Sequence, residues 1–170
     1  MLRNAVIALL SLLCLSACFS TTRSLSWKSG TVAIGQVKSL MIQPVVNATG
    51  GALNEEVLRA LTRFLREQLK ATHLLLTASD AEGSDSLTVQ SAVLEYKFQF
   101  FSGPPPPSGQ TSGLCIVRTH LRKMPENILV AEILTFNKVD VGQGLLEHKT
   151  PDPLLRETAA AIVREMIGLL

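Results

Sequence analysis

The sequence predicts one α+β domain: a mixed sheet of four or five strands with two packed helices, in the order β-α-β-β-β-β-α. Three observations carry this expectation. Apolar residues recur at helical spacing between Asn54 and Lys70. Three long β-like segments follow between Leu87 and Val141, broken by turn-forming stretches. A second helical pattern opens at Asp152-Pro153. A strand-helix-strand beginning makes its two strands parallel if they are neighbours, and the later hairpins are antiparallel.

The first element is not part of that domain. Arg3 is the only charged side chain before residue 23, and an apolar run from Ala5 to Leu15 follows, broken only by Ser11. A basic start and a short apolar run form a secretion signal. A permanent span needs about 20 apolar residues, and Ser16 and the polar Ser20-Thr21-Thr22-Arg23-Ser24 stretch flank this shorter one.

Leu15-Ser16-Ala17-Cys18 resembles the lipobox of bacterial lipoproteins. The resemblance implies a signal peptide over residues 1–17, cleavage before Cys18, and a diacylglyceryl thioether with further palmitate-like acylation on Cys18. The small side chains of Ser16 and Ala17 suit a narrow peptidase site, whereas Cys14 follows bulky Leu13 and leaves with the signal. One acyl chain holds a protein marginally, at ~0.8 kcal/mol per buried methylene, and two or three hold it permanently. Phe19, not Asp, follows the cysteine. In two-membrane bacteria that resemblance implies the outer membrane, with the protein facing the periplasm; in a single-membrane bacterium the anchor implies the cell surface.

Residues 18–35 then comprise the lipidated cysteine and a tether, because the stretch to about residue 30 is rich in Ser and Thr and poor in aliphatics. Trp27 either rests at the membrane interface or caps the core. Residues 36–170 form the domain. Thr31 to Val46 is β-like, and Pro44 places its end at a sheet edge or outside the sheet. Asn47-Ala48-Thr49-Gly50-Gly51 is turn chemistry that also spells a glycosylation sequon.

Asn54 caps the first helix, with Glu55 and Glu56 at the positive end of its dipole. Val57, Leu58, Leu61, Phe64, Leu65 and Leu69 form its buried face. Arg59, Arg63, Arg66 and Lys70 stack as a basic stripe on the opposite side. The stripe is either a site for an anionic partner, such as lipid headgroups or an acidic protein surface, or a solvated face on which Glu55 and Glu67 pair with Arg59 and Arg63.

His73 to Thr77 is a short strand, and Ala78 to Ser86 is a polar loop. Leu87 to Phe101 is a long strand whose apolar parity changes near residue 92, which predicts a bulge or strong twist. Gly103-Pro104-Pro105-Pro106-Pro107 excludes helix and strand and makes a stiff hairpin tip. Leu114 to Met124 and Ile128 to Val141 are strands joined through Met124-Pro125-Glu126-Asn127. In the last helix Asp152 caps, Pro153 takes the first helical position, and Leu155, Ala159, Ile162 and Met166 line the buried side.

This order of elements, with Pro44-Val45-Val46-Asn47-Ala48-Thr49-Gly50 and Leu61-Thr62-Arg63-Phe64-Leu65-Arg66-Glu67-Gln68-Leu69, resembles several small envelope lipoproteins over residues 37 to 100. They are the lipopolysaccharide-assembly lipoprotein of the outer-membrane translocon, the periplasmic activators of penicillin-binding proteins, and the curli-secretion lipoprotein. The resemblance implies a non-catalytic part in envelope assembly.

Composition restricts the chemistry. The chain carries net charge +2, and losing Arg3 with the signal leaves +1, too little to drive nucleic-acid binding. After lipidation of Cys18 and loss of Cys14, Cys115 alone remains, so no internal disulfide forms; its apolar neighbours make it a small core residue. His73, His120 and His148 are too scattered for a metal motif, and Asp80, Glu82 and Asp85 lack calcium-loop spacing. No catalytic, cofactor or metal motif is legible. The expected function is a non-catalytic outer-membrane lipoprotein, an accessory or assembly subunit of a cell-envelope machine. The alternative is a periplasmic lipid or glycan carrier with an apolar cleft beside Tyr96, Phe98, Phe100 and Phe101. A third option, an unrecognised hydrolase, requires titratable groups gathered by the fold.

Overall fold

The computed structural model describes residues 18–28, 39–72, 86–102, 109–141 and 151–170. The strands are β1 (Cys18–Lys28), β2 (Ser39–Ile42), β3 (Val46–Asn47), β4 (Ser86–Ser102), β5 (Gly109–Met124) and β6 (Ile128–Val141). The helices are α1 (Glu55–Ala71) and α2 (Asp152–Leu169). All strands join one mixed six-stranded sheet in the order β1-β6-β5-β4-β2, with β3 also on β4. The α+β expectation holds; among the described residues there are six strands, because β1 was not expected and one expected strand is divided into β2 and β3.

β1 is the strand that was not expected. The Ser/Thr-rich stretch expected as a tether pairs antiparallel with β6 from Cys18↔Val141 to Lys28↔Ala131. An edge strand buries only one side, so it needs few apolar residues. The inward residues of β1 are small hydroxyls: Thr22 donates to Asn137 Oδ1 at 3.2 Å, and Ser24 lies 3.4 Å from Thr135 Oγ1. Residues 18–28, expected to lie outside the domain that starts at 36, are therefore part of its sheet. The signal over residues 1–17 and the short strand at 73–77 lie outside the described residues.

Thr31 to Val46 was expected as one strand. The described part is two short strands, both parallel to β4, with Gln43 to Val45 between them. Pro44 lies exposed in that break, at the sheet edge as expected. Val45 N donates to Thr62 Oγ1 at 3.0 Å, and Thr62 in turn donates to Leu58 O at 2.7 Å. The break is thereby pinned to α1. The following turn is closed by Asn47, whose Oδ1 accepts from Thr49 N at 2.9 Å, while Gly50 takes φ +76°.

In α1, Asn54 caps as expected, accepting from Glu56 N at 2.9 Å. Leu61, Phe64, Leu65 and Leu69 are fully buried, each contributing ~1.5–3 kcal/mol over exposure. α2 begins at its expected cap, one residue earlier than expected. Asp152 is the first helical residue and Pro151 occupies the cap position without a side-chain bond. Leu155, Ala159, Ile162 and Met166 are buried, joined by Leu154, Thr158, Ala161 and Val163.

The parity change in β4 is a bulge: its register with β5 shifts between Val93 and Glu95. Leu87, Val89 and Val93 face the core before it, and Tyr96 and Phe98 pack against the core after it. Both helices lie on one face of the sheet, where Cys115, Val117, Leu121, Ile133 and Val139 are buried. Alternate residues, among them Ile116, Arg118, Leu134 and Phe136, lie on the other face.

Candidate functional site

The basic stripe sits on the outer surface of α1. Its four members are exposed but do not share one electrostatic state. Arg59 pairs with Glu55 one turn earlier. Arg63 Nε lies 3.8 Å from Glu67 Oε1, and its guanidinium stands 4.8 Å from the centre of the Phe64 ring. Arg66 and Lys70 have no ion pair among the described residues. The solvated-face reading thus describes the first half of the stripe, and the second half keeps its positive charge available.

The fold adds a residue that helical spacing did not reveal. Arg156 of α2 reaches across to Glu67 Oε2 at 3.5 Å and lies 4.2 Å from the Phe64 ring centre. Glu67 therefore joins two guanidiniums over one buried aromatic. Exposed ion pairs contribute ~0–1 kcal/mol each; cation–π stacking on a ring desolvated from below adds to that. The cluster fixes how α1 and α2 face each other. The distance from residue 67 to 156 in sequence is why no local pattern announced it.

Two open grooves flank the stripe. One, of about 490 Å³, runs between Pro44–Val45 and the α1 residues Thr62, Arg66 and Lys70. The other, of about 610 Å³, lies between the start of α1 at Asn54 and the start of α2 at Asp152. Both present mixed charged and apolar walls, suited to a protein or headgroup surface rather than to a buried small molecule.

The remaining expected residues are dispersed. Cys18 starts β1 at the sheet edge, opposite Val141. Cys115 is buried in the core, and burial pushes its thiol up to about 12 despite a hydrogen bond with Thr158. His120 Nε2 lies 3.2 Å from Glu132 Oε2, and Arg118 Nε lies 3.6 Å from the same carboxylate. His73, His148 and the Asp80, Glu82 and Asp85 loop lie outside the described residues. Among the described residues no group of three His, Cys, Asp or Glu could hold a metal ion. The carrier reading required a cleft beside Tyr96 and Phe98, but both side chains pack against the core; the Phe100 and Phe101 side chains lie outside the description.

The comparisons with known proteins bear on the fold. No family model matches the sequence, and no curated protein matches it. Solved structures do match. A PelC dodecamer from Paraburkholderia phytofirmans superposes with a TM-score of 0.51 at 10% identity, covering 85% of this chain and 97% of that one. A minor lipoprotein from Acinetobacter baumannii gives a TM-score of 0.40 at 16% identity, covering 76% and 87%. A lipoprotein from Neisseria meningitidis gives 0.37 at 12% identity, covering 76% and 98%. Of these, the PelC structure is the one whose overlap shows a shared fold.

Proposed function

We propose that this protein is a non-catalytic lipoprotein of the bacterial outer membrane, anchored through Cys18 and facing the periplasm, where it is an accessory or assembly subunit of a cell-envelope machine. The observation that carries the reading is the position of Cys18. The lipobox cysteine is the first residue of an edge strand paired along its whole length with β6, so acyl chains on it would hold the folded body directly at the bilayer without a spacer. The open, charged grooves on the helix layer support a surface that works by contact with another protein. The dodecameric state of the PelC structures, which share the fold, supports work within an assembly of many copies.

Two measurements test this. Metabolic labelling with a palmitate analogue should mark the wild-type protein and not Cys18→Ala; label that persists in the variant, or is missing from the wild type, defeats the anchor. Pull-down from detergent-solubilised envelopes should recover other envelope proteins, or a high-order assembly, through α1. Charge reversal at Arg66 and Lys70 should weaken that recovery about tenfold, which is about 1.4 kcal/mol spread over two interfacial charges. Recovery of the chain alone as a monomer removes the assembly role.

A further inference from the structure

The face of the sheet opposite the helices is apolar at one edge and carries a modest basic excess. Alternate residues of each strand project onto it. β1 contributes Arg23, Leu25 and Trp27, set opposite Phe136, Leu134 and Glu132 of β6. β5 continues the same rows with Ile116, Arg118 and His120. Leu25 is 74% exposed and Trp27 58% exposed, on the outward side of an edge strand. Their strand neighbours Leu134 and Phe136, with Ile116 beyond, are half-buried on the same face.

Charge is distributed unevenly between the two layers. The helices hold six Lys and Arg against six Asp and Glu, whereas the strands hold seven against three. On the helix-free face the positions are Arg23, Lys97, Arg118, Arg122 and Lys138 against Glu95 and Glu132. Lys97 pairs with Glu95 at 2.6 Å and Arg118 Nε lies 3.6 Å from Glu132 Oε1, so the excess rests chiefly on Arg23 and Arg122. Arg23 has no ion pair among the described residues. Aromatic and aliphatic side chains beside a basic excess are the composition that binds the interface of an anionic bilayer.

We propose that this face is a membrane-contact surface, and that the sheet lies along the bilayer instead of standing on it by its anchor. The inference rests on the lipidation of Cys18 for its biological setting, and the geometry of β1 connects the two. Cys18 and Trp27 are nine residues apart on one extended strand, ~30 Å at 3.3 Å per residue. The register puts position 18 on the parity of Thr22, not of Leu25. It ends an edge strand, however, so acyl chains there reach the bilayer round the sheet edge, and Trp27 with Leu25 form a second, separated point of attachment. Two points define an orientation where one permits swivelling. The helix layer, with Arg66 and Lys70, is then turned away from the membrane.

Trp27 is the only tryptophan in the chain, so its emission reports this contact directly. All described elements lie within residues 18–170, and that chain with Cys18→Ser provides the unacylated probe. With phosphatidylethanolamine–phosphatidylglycerol vesicles, Trp27 emission should shift to shorter wavelength and be quenched by brominated lipid. Phosphatidylcholine vesicles should produce neither effect. Arg23→Glu should weaken partitioning about tenfold, whereas Arg66→Glu on α1 should leave it unchanged. The proposal is overturned by unchanged emission with anionic vesicles, or by equal losses from Arg23→Glu and Arg66→Glu. A shift that follows protein concentration without vesicles also overturns it, since that marks a second copy as the occupant. Failure here with palmitate label intact at Cys18 removes only this surface; absent label with vesicle binding intact removes the anchor and leaves the surface.

Discussion

Single residues decide how the two layers are joined. Asn137 is buried and serves three elements at once: it accepts from Thr22 of β1 and donates to Leu154 O and Thr158 Oγ1 of α2, both at 3.1 Å. Removing it deletes three hydrogen bonds, each worth ~0.5–1.5 kcal/mol net, although Thr158 Oγ1 still donates to Leu154 O at 2.7 Å. Asn137→Ala should therefore lower unfolding stability by about 2 kcal/mol in urea melts, and Thr22→Val by less, since Thr22 is exposed enough to find water. Cys115 and Tyr96 set the alkaline limit. Burial pushes both up to about 12, from ordinary values of 9.0 for the thiol and 10.0 for the phenol; neighbouring negative charge adds to the Tyr96 shift. The folded state keeps both protons where the unfolded chain loses them, so stability is complete below pH 9 and falls as pH rises from about 9 to about 12. Melts across that window should show the decline, and Tyr96→Phe should make it shallower while retaining the ring. Thiol reagents at pH 8 should leave Cys115 unmodified until the chain is unfolded.

At the scale of elements, β1 separates two views of the N-terminal stretch. A tether could be removed without consequence. An edge strand cannot, because its loss uncovers the backbone of β6 from Ala131 to Val141 and leaves Asn137 without Thr22. A chain beginning at residue 29 should melt well below the chain beginning at residue 18 and aggregate on standing; equal melting temperatures would return the stretch to a tether. Lys28 reinforces the strand's far end by donating from Nζ to Leu169 O at 3.0 Å, tying β1 to the last turn of α2. α1 depends on its cap in the ordinary way: Asn54→Ala should cost ~1 kcal/mol, without altering the cluster that Arg63 and Glu67, roughly two to four turns further on, form with Arg156 of α2.

For the whole molecule, legibility followed the range of the forces involved. Helix α1, with its cap and five of its buried apolar residues, was readable because helical periodicity and capping act over a few residues. The limits of β6 and the bulge in β4 were readable for the same reason, as parity within a strand. The basic stripe was visible, but its division into a paired half and an available half was not, since Arg156 and Glu67 meet only through helix packing. β1 was read as a tether because polar composition in an edge strand has the same appearance as a solvated linker. The sequence alone determined the α+β class, the core faces of both helices, the burial expected of Cys115, and a lipobox expectation that local composition carries by itself. Only the tertiary structure decided that Cys18 opens a strand instead of a tether, that Pro44 splits one strand into two, and that one face of the sheet carries Arg23, Leu25 and Trp27 away from the helices. Each of those depends on which distant segment lies alongside, a contact made by backbone pairing and packing across the fold, and a single stretch of residues holds no local record of it.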